Sequence, residues 1–257
     1  CLAFTPTATP QVQEDIRAVL GLEDARLFHT GISRDNLFLS VHDALTDQDK
    51  IDRLADVLRR TGGPAIVYCA LIKDLRYLES ELQRRDFWPM VYHGDLSAHE
   101  RRTQQAKFQE RDDALMLATN AFGMGVDKAD IRAIIHWQIP RTLEAYYQET
   151  GRAGRDGKPS TAWMVYGLQD VIKLRQMLEG SQGNDQFKRV ERQKLDAMLG
   201  LCEVTSCRRQ VLLRYFGDQL DAPCGNCDTC LNPPETWDGT VAVQKALSCV
   251  FRTGQRF

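Results

Sequence analysis

With 257 residues, 43% of them hydrophobic and 26% charged, the chain is long enough for one large or two small globular domains with a real core. A formal net charge of −2 excludes wholesale electrostatic adhesion to phosphate, so any nucleic-acid contact must come from a local basic face. No apolar run approaches bilayer length, and the N-terminus lacks a charged segment followed by an apolar core, so no membrane partner is expected. The setting expected is cytoplasmic and nucleoid-associated, or nuclear in a eukaryote. The chain starts without Met on Cys1-Leu2-Ala3-Phe4 and is expected to be a piece of something longer.

Thr9-Pro10 followed by Val12, Ile16, Val19 and Leu20 predicts a capped amphipathic helix that stops at Gly21. Leu37 to His42 is expected as a strand. A rhythm then sets in, with a helix face of Ile51, Leu54, Ala55 and Leu58, a breaker at Thr61-Gly62-Gly63-Pro64, and an apolar strand at Ala65 to Cys69. Leu71, Leu75, Leu78 and Leu82 mark the next helix, and Met90-Val91-Tyr92 the next strand. Ser97-Ala98-His99-Glu100 is a capping-box pattern. Ala114 to Ala118, Ala133 to Trp137 and Ala162 to Tyr166 complete the buried-type strands.

Short apolar strands separated by amphipathic helices imply an α/β fold, a parallel sheet with helices on both faces, because each parallel crossover needs a helix to return the chain. Ligands are expected at loops beyond the carboxyl ends of the strands. After residue 168 the pattern becomes helical and locally basic, with Lys188, Arg189, Arg192, Lys194, Arg208, Arg209 and Arg214, which marks a second module. Four of the eight cysteines, Cys1, Cys69, Cys202 and Cys249, are scattered singly. Cys207, Cys224, Cys227 and Cys230 gather late, which suits a reducing compartment and one metal site.

The sharpest chemical signal is Gln148-Glu149-Thr150-Gly151-Arg152-Ala153-Gly154-Arg155-Asp156-Gly157, which sets two arginines three apart among glycines. Two guanidinium forks on one turn can reach a polyphosphate together, and arginines delivered from a neighbouring lobe neutralise charge in phosphoryl transfer. With Tyr146 and Tyr147 in front of it, the segment resembles the sixth motif of superfamily-2 helicases in the wording of the RecQ family. The resemblance implies a RecA-like second motor lobe, Arg152 and Arg155 as arginine fingers, and Gln148 as a coupling residue. RNA-directed DEAD-box relatives carry a His-Arg-Ile-Gly-Arg version instead, so DNA is the implied partner, single-stranded or at duplex junctions.

Ala118 to Lys128 follows a buried strand and supplies small residues where backbone must approach a ligand. It is similar to the fifth helicase motif, which implies Thr119 and Asn120 near the DNA backbone and Gly125 and Asp127 near the nucleotide. Tyr92-His93-Gly94-Asp95-Leu96 resembles the family's Tyr-His-Ala-Gly-Leu turn. His93 and Gly94 are implied DNA contacts, although a lone histidine at a strand end is more often structural. Ile32 to Leu37 also matches the family's approach to its second lobe. Thr5-Pro6-Thr7 and Ala70-Leu71 depart from the family's Thr-Ala-Thr and Asn-Ser, so direct contacts are not expected at those turns.

Cys207 with Cys224-x2-Cys227-x2-Cys230 offers four thiolates and a closed, hence structural, shell, with the run bending through Gly225 and Asn226. Such a run also suits an iron–sulfur cluster, and disulfides are the remaining alternative. The RecQ resemblance implies structural Zn2+. The arginines of Cys207 to Phe216 read either as solvated surface or as phosphate contacts.

The organisation expected is the end of a first RecA-like lobe and linker at 1–34, the second lobe at 35–167, a helical zinc-binding subdomain at 168–237, and the first helix of a winged-helix domain at 238–257. No Gly-x4-Gly-Lys-Ser/Thr occurs, and Gly157-Lys158 is followed by Pro159. ATP, Mg2+ and the first RecA-like lobe are therefore expected of a parent protein, with the chain inactive alone. The alternative reading is a zinc-stabilised DNA-binding or scaffold module without catalysis.

Overall fold

The computed structural model describes residues 2–5, 7–29, 31–123 and 126–254. The elements run α1 (Pro10–Leu20), β1 (Leu37–Asp43), α2 (Asp47–Arg60), β2 (Ala65–Tyr68), α3 (Ile72–Gln83), β3 (Met90–Tyr92), α4 (Ala98–Glu110), β4 (Leu115–Ala118), β5 (Ala133–His136), α5 (Leu143–Thr150), β6 (Ser160–Tyr166), α6 (Leu168–Glu179), α7 (Asp185–Glu203), α8 (Arg208–Tyr215), α9 (Asp228–Leu231) and α10 (Thr240–Arg252). The strands form one sheet in the order β1-β6-β5-β2-β4-β3. Every pairing is parallel, as the continuous apolar runs require.

Alternation along each strand divides the core. Ile66, Tyr68, Met116, Ala118, Ile134, Ala162 and Met164 face a layer that contains Phe108 of α4, Tyr146 of α5, Met198 of α7 and Phe216, which ends α8. Val67, Cys69, Leu117, Ile135, Trp163 and Val165 face α2 and α3 instead. The basic module beginning at Leu168 thus packs on the same face as α4 and α5 and shares their core. A buried ion pair between Lys50 and Asp170 joins α2 to α6, and the Lys50 ammonium also lies 5.4 Å from the Trp137 ring centre.

Local signals explain the helix ends. Thr9 accepts from the Val12 N–H, and Gly21 closes α1 in the left-handed region at φ 61°. Ser97 and Glu100 complete the capping box of α4. Leu71 falls outside the helix face expected of it, because it is the N-cap of α3. Neither α1 nor α10 buries a residue, although Val19, Leu247 and Phe251 carry apolar faces.

Candidate nucleotide-facing site and metal centre

The carboxyl ends of β3 and β4 carry the residues expected at DNA. His93 is buried and its Nδ1 has no hydrogen-bond partner. Thr119 is also buried, its N–H donating to the Tyr92 carbonyl at 3.1 Å. Asn120 and Gly94 are exposed, and a Cβ at Gly94 would meet nothing within 4 Å. This rim therefore offers an amide side chain and an open backbone, with the His93 ring behind them.

The arginine loop lies elsewhere, against the segment that leads into β5. Gly154 N–H donates to the Ile131 carbonyl at 2.9 Å, and Asp156 N–H to that of Ala129 at 3.2 Å. α5 returns the chain to the amino-terminal end of β5 before β6 begins, and from there Arg152 reaches back toward the loop that follows β4. Arg152 is half-buried and donates to the Gly123 carbonyl, while its Nε has no partner. Arg155 is exposed, donates to the Val126 carbonyl at 3.3 Å, and stands 3.7 Å from Asp127, whose carboxylate is open to solvent. Gln148 is exposed and donates to the Thr7 hydroxyl at 2.8 Å. Gly125 and Pro6 lie outside the described residues.

Sequence reasoning missed a buried hydrogen-bonded contact between His136 and Glu149. His136 Nε2 is 2.7 Å from Glu149 Oε2, with the imidazole 2% exposed and flanked by Tyr68 and Tyr146 at 5.7 and 5.2 Å between ring centres. Burial pushes the Tyr68 phenol far above its ordinary value, so it stays neutral and donates to the Phe122 carbonyl at 2.9 Å. The adjacency of Glu149 to Gln148 in the arginine segment was the available signal.

The loop is also held from the side of β1. Arg34 donates to the carbonyls of Gly151, Ala153 and Gly154 at 3.1, 2.7 and 2.9 Å. Asn36 donates to those of Gly154 and Lys158 at 2.8 and 2.9 Å. Gly154 has φ 56°, and a Cβ there would stand 2.5 Å from Asn36 Nδ2 and 2.8 Å from the Lys158 carbonyl, so the approach requires glycine.

The four clustered cysteines come together, their sulfur atoms all within 4.8 Å of one another. Zn–S bonds of about 2.3 Å in a tetrahedron give sulfur–sulfur edges of about 3.8 Å, so the cluster fits one ion with slight contraction. It leaves no room for an iron–sulfur cube, and these four cysteines are all free thiols. Cys207 is the N-cap of α8, and backbone N–H groups of Cys224 and Asn226 point at the Cys207 and Cys224 sulfurs, each at 3.3 Å. Burial raises the Cys224 thiol to about 12. At Cys227 burial acts in the same direction, but hydrogen bonds from the Thr229 hydroxyl and the Arg208 and Cys230 N–H groups outweigh it and hold the thiol at about 7.

Arg208 and Arg209 are neither solvated surface nor phosphate contacts. Both are buried, at 6% and 3% exposure. Arg208 pairs with Asp228 at 2.6 Å and caps the Leu201 and Cys202 carbonyls. Arg209 donates to the carbonyls of Arg34 and Leu37. Charge was legible in the sequence, but the carbonyl partners of Arg209, about 170 positions away, were not.

Three family models match in order: the helicase conserved C-terminal domain over residues 49–157, the RecQ zinc-binding domain over 168–231, and the RQC domain over 233–257. The ATP-dependent DNA helicase RecQ of Pasteurella multocida is 35% identical over 256 residues, covering 100% of this chain and 40% of that protein. That of Bacillus subtilis is 36% identical over 256 residues, again covering 100% of this chain and 43% of the relative. The chain thus spans about two fifths of the curated relatives' length. The structure of S. cerevisiae Dbp5 bound to RNA and ADP BeF3 superposes with a TM-score of 0.56 at 19% identity, over 75% of this chain and 54% of that one, and shows the shared RecA-like fold. The zinc-binding match contains all four ligands of the cluster, whose zinc is structural because every coordination position is taken by sulfur. With all three domains in register and the RecQ likeness running its whole length, the chain belongs to the RecQ family of superfamily-2 helicases.

Proposed function

We propose that the protein to which this chain belongs hydrolyses ATP, with Mg2+, between two RecA-like lobes and moves 3′ to 5′ along one DNA strand, unwinding DNA in recombination and repair. Residues 35–167 act as the second lobe, 1–34 as the end of the first lobe and linker, 168–237 as the zinc-binding subdomain, and 238–257 as the start of a winged helix. The observation that carries this reading is the exposed guanidinium of Arg155 beside the open Asp127 carboxylate, on a loop held from three sides. Arg155 neutralises the transferring phosphoryl group, and Arg152 joins it by exchanging the Gly123 carbonyl for phosphate. Asp127 and Gly125 meet the nucleotide, and Gln148 couples its state to the preceding segment. Asn120 and Gly94 contact DNA phosphates, with Thr119 and His93 shaping the rim. The partners are single-stranded DNA, duplex junctions and the first lobe, in a nucleoid or nucleus.

The lack of a Gly-x4-Gly-Lys-Ser/Thr segment favours a second behaviour for the chain by itself, a zinc-stabilised module that binds DNA weakly and salt-sensitively and does not hydrolyse ATP. Arg155→Ala in the two-lobe parent tests the motor reading. ATP turnover should fall by about 10³-fold or more with DNA affinity nearly unchanged. Equal loss of both removes the arginine-finger role.

A further inference from the structure

The four residues Arg34 to Leu37 are gripped on two sides. Three of their four backbone carbonyls belong to the metal module: Arg209 of α8 holds those of Arg34 and Leu37, and Asn226, inside the cysteine run, donates to that of Asp35 at 2.8 Å and to that of Leu37 at 3.3 Å, while the Asn36 carbonyl accepts from the Ser160 N–H of β6 at 3.0 Å. Their side chains belong to the arginine loop, where Arg34 and Asn36 make five hydrogen bonds to carbonyls between Gly151 and Lys158. Arg209 is two residues from the ligand Cys207, and Asn226 adjoins the ligand Cys227.

We propose that Arg34–Leu37 is a clamp through which the metal-loaded cysteine site sets the position of Arg152 and Arg155, with Arg34 and Asn36 as positioning residues for the nucleotide reaction. This rests on the arginine-finger reading above. The physical ground is rigidity. Glycines leave the loop's backbone permissive; its Gly154 and Asp156 N–H groups are fixed on Ile131 and Ala129, and on the other side the guanidinium of Arg34 takes three of its carbonyls in one charge-assisted fork. Misplacing a charge-neutralising group by about 1 Å costs on the order of 10²-fold in rate. Arg34 and Asn36 touch no nucleotide-facing atom, so they act on turnover rather than on nucleotide capture.

The test is Arg34→Ala, with zinc content, hydrogen exchange and kinetics measured on the same variant. In the zinc-loaded chain, exchange at residues 152–157 should rise about tenfold, while β2 and β5 keep wild-type protection and zinc stays bound. In the two-lobe parent, kcat should fall about 10- to 100-fold with little change in the KM for ATP. Arg34→Lys, which can reach only part of the fork, should recover some of both. Asn36→Ala serves as a milder second variant, loosening the same segment if Arg34→Ala fails to fold. Zinc chelation should speed exchange at 152–157 before it reaches β2 and β5. Unchanged exchange there in both variants, acceleration spread evenly over the lobe, or a chelated chain loosened only at 207–231 overturns the clamp. A loosened loop in Arg34→Ala combined with full turnover in Arg155→Ala leaves the clamp standing and removes the arginine-finger reading instead.

Discussion

Gly154 and Gly157 share the left-handed region, at φ 56° and 78°, yet their surroundings differ, which makes the pair a controlled experiment on the arginine loop. An alanine at either position accepts a backbone conformation that costs about 1–2 kcal/mol for an L-residue. At Gly157 nothing lies within 4 Å of the new Cβ, so the conformational cost is the whole effect. At Gly154 the Cβ would stand 2.5 Å from Asn36 Nδ2, 2.6 Å from Ser160 Oγ and 2.8 Å from the Lys158 carbonyl. Asn36 must then swing away, surrendering two hydrogen bonds worth about 0.5–1.5 kcal/mol each, and the Lys158 backbone must shift as well. Gly154→Ala should therefore cost about 3–5 kcal/mol and Gly157→Ala about 1–2 kcal/mol. Urea unfolding with equal m-values reports the difference directly, and thermal melts should separate the variants at about 2–4 °C per kcal/mol. Equal destabilisation by the two substitutions would refute the reasoning, because it would show that the contacts around Gly154 carry no energy.

Cys227→Ser should abolish stoichiometric zinc and melt residues 168–231, since capture by four thiolates contributes about 10–16 kcal/mol in comparable sites; a variant with an unchanged melting profile would contradict this. Lys50→Met strands the buried Asp170 carboxylate with the Gly167 N–H as its remaining donor, at 2.9 Å, and should cost about 3–5 kcal/mol. A loss below about 1 kcal/mol in chemical denaturation would show that the pair contributes little to joining α6 to the lobe.

The six strands were legible because a parallel strand buried on both faces leaves a continuous apolar run, as in Ile66-Val67 and Ile134-Ile135. Their order was not, since β2 lies between β4 and β5 through side-chain packing that no local pattern encodes. The metal ligands were legible from spacing, and the structure brings all four together. Arg208 and Arg209 were misread because charge predicts exposure unless a partner is known, and their partners are distant carbonyls and Asp228. Lys50, Asp170 and His136 escaped notice for the same reason. Arg34 and Asn36 stood inside a segment singled out by resemblance, but their grip on the arginine loop depends on β1 and β6 lying side by side, which only the folded chain displays.

The placement of the cysteine run has one more effect. β1 is an outer strand of the sheet, and its free side is occupied by that run: Leu39 bridges Cys227, the Val41 N–H donates to Asp228 at 2.9 Å, and the Leu37 carbonyl is taken by Arg209 and Asn226. An unpaired strand seven residues long is a template on which another chain can polymerise. The opposite border, β3, has three residues and offers little to pair with. The cysteine run thus covers the border of the sheet on which another chain could otherwise pair.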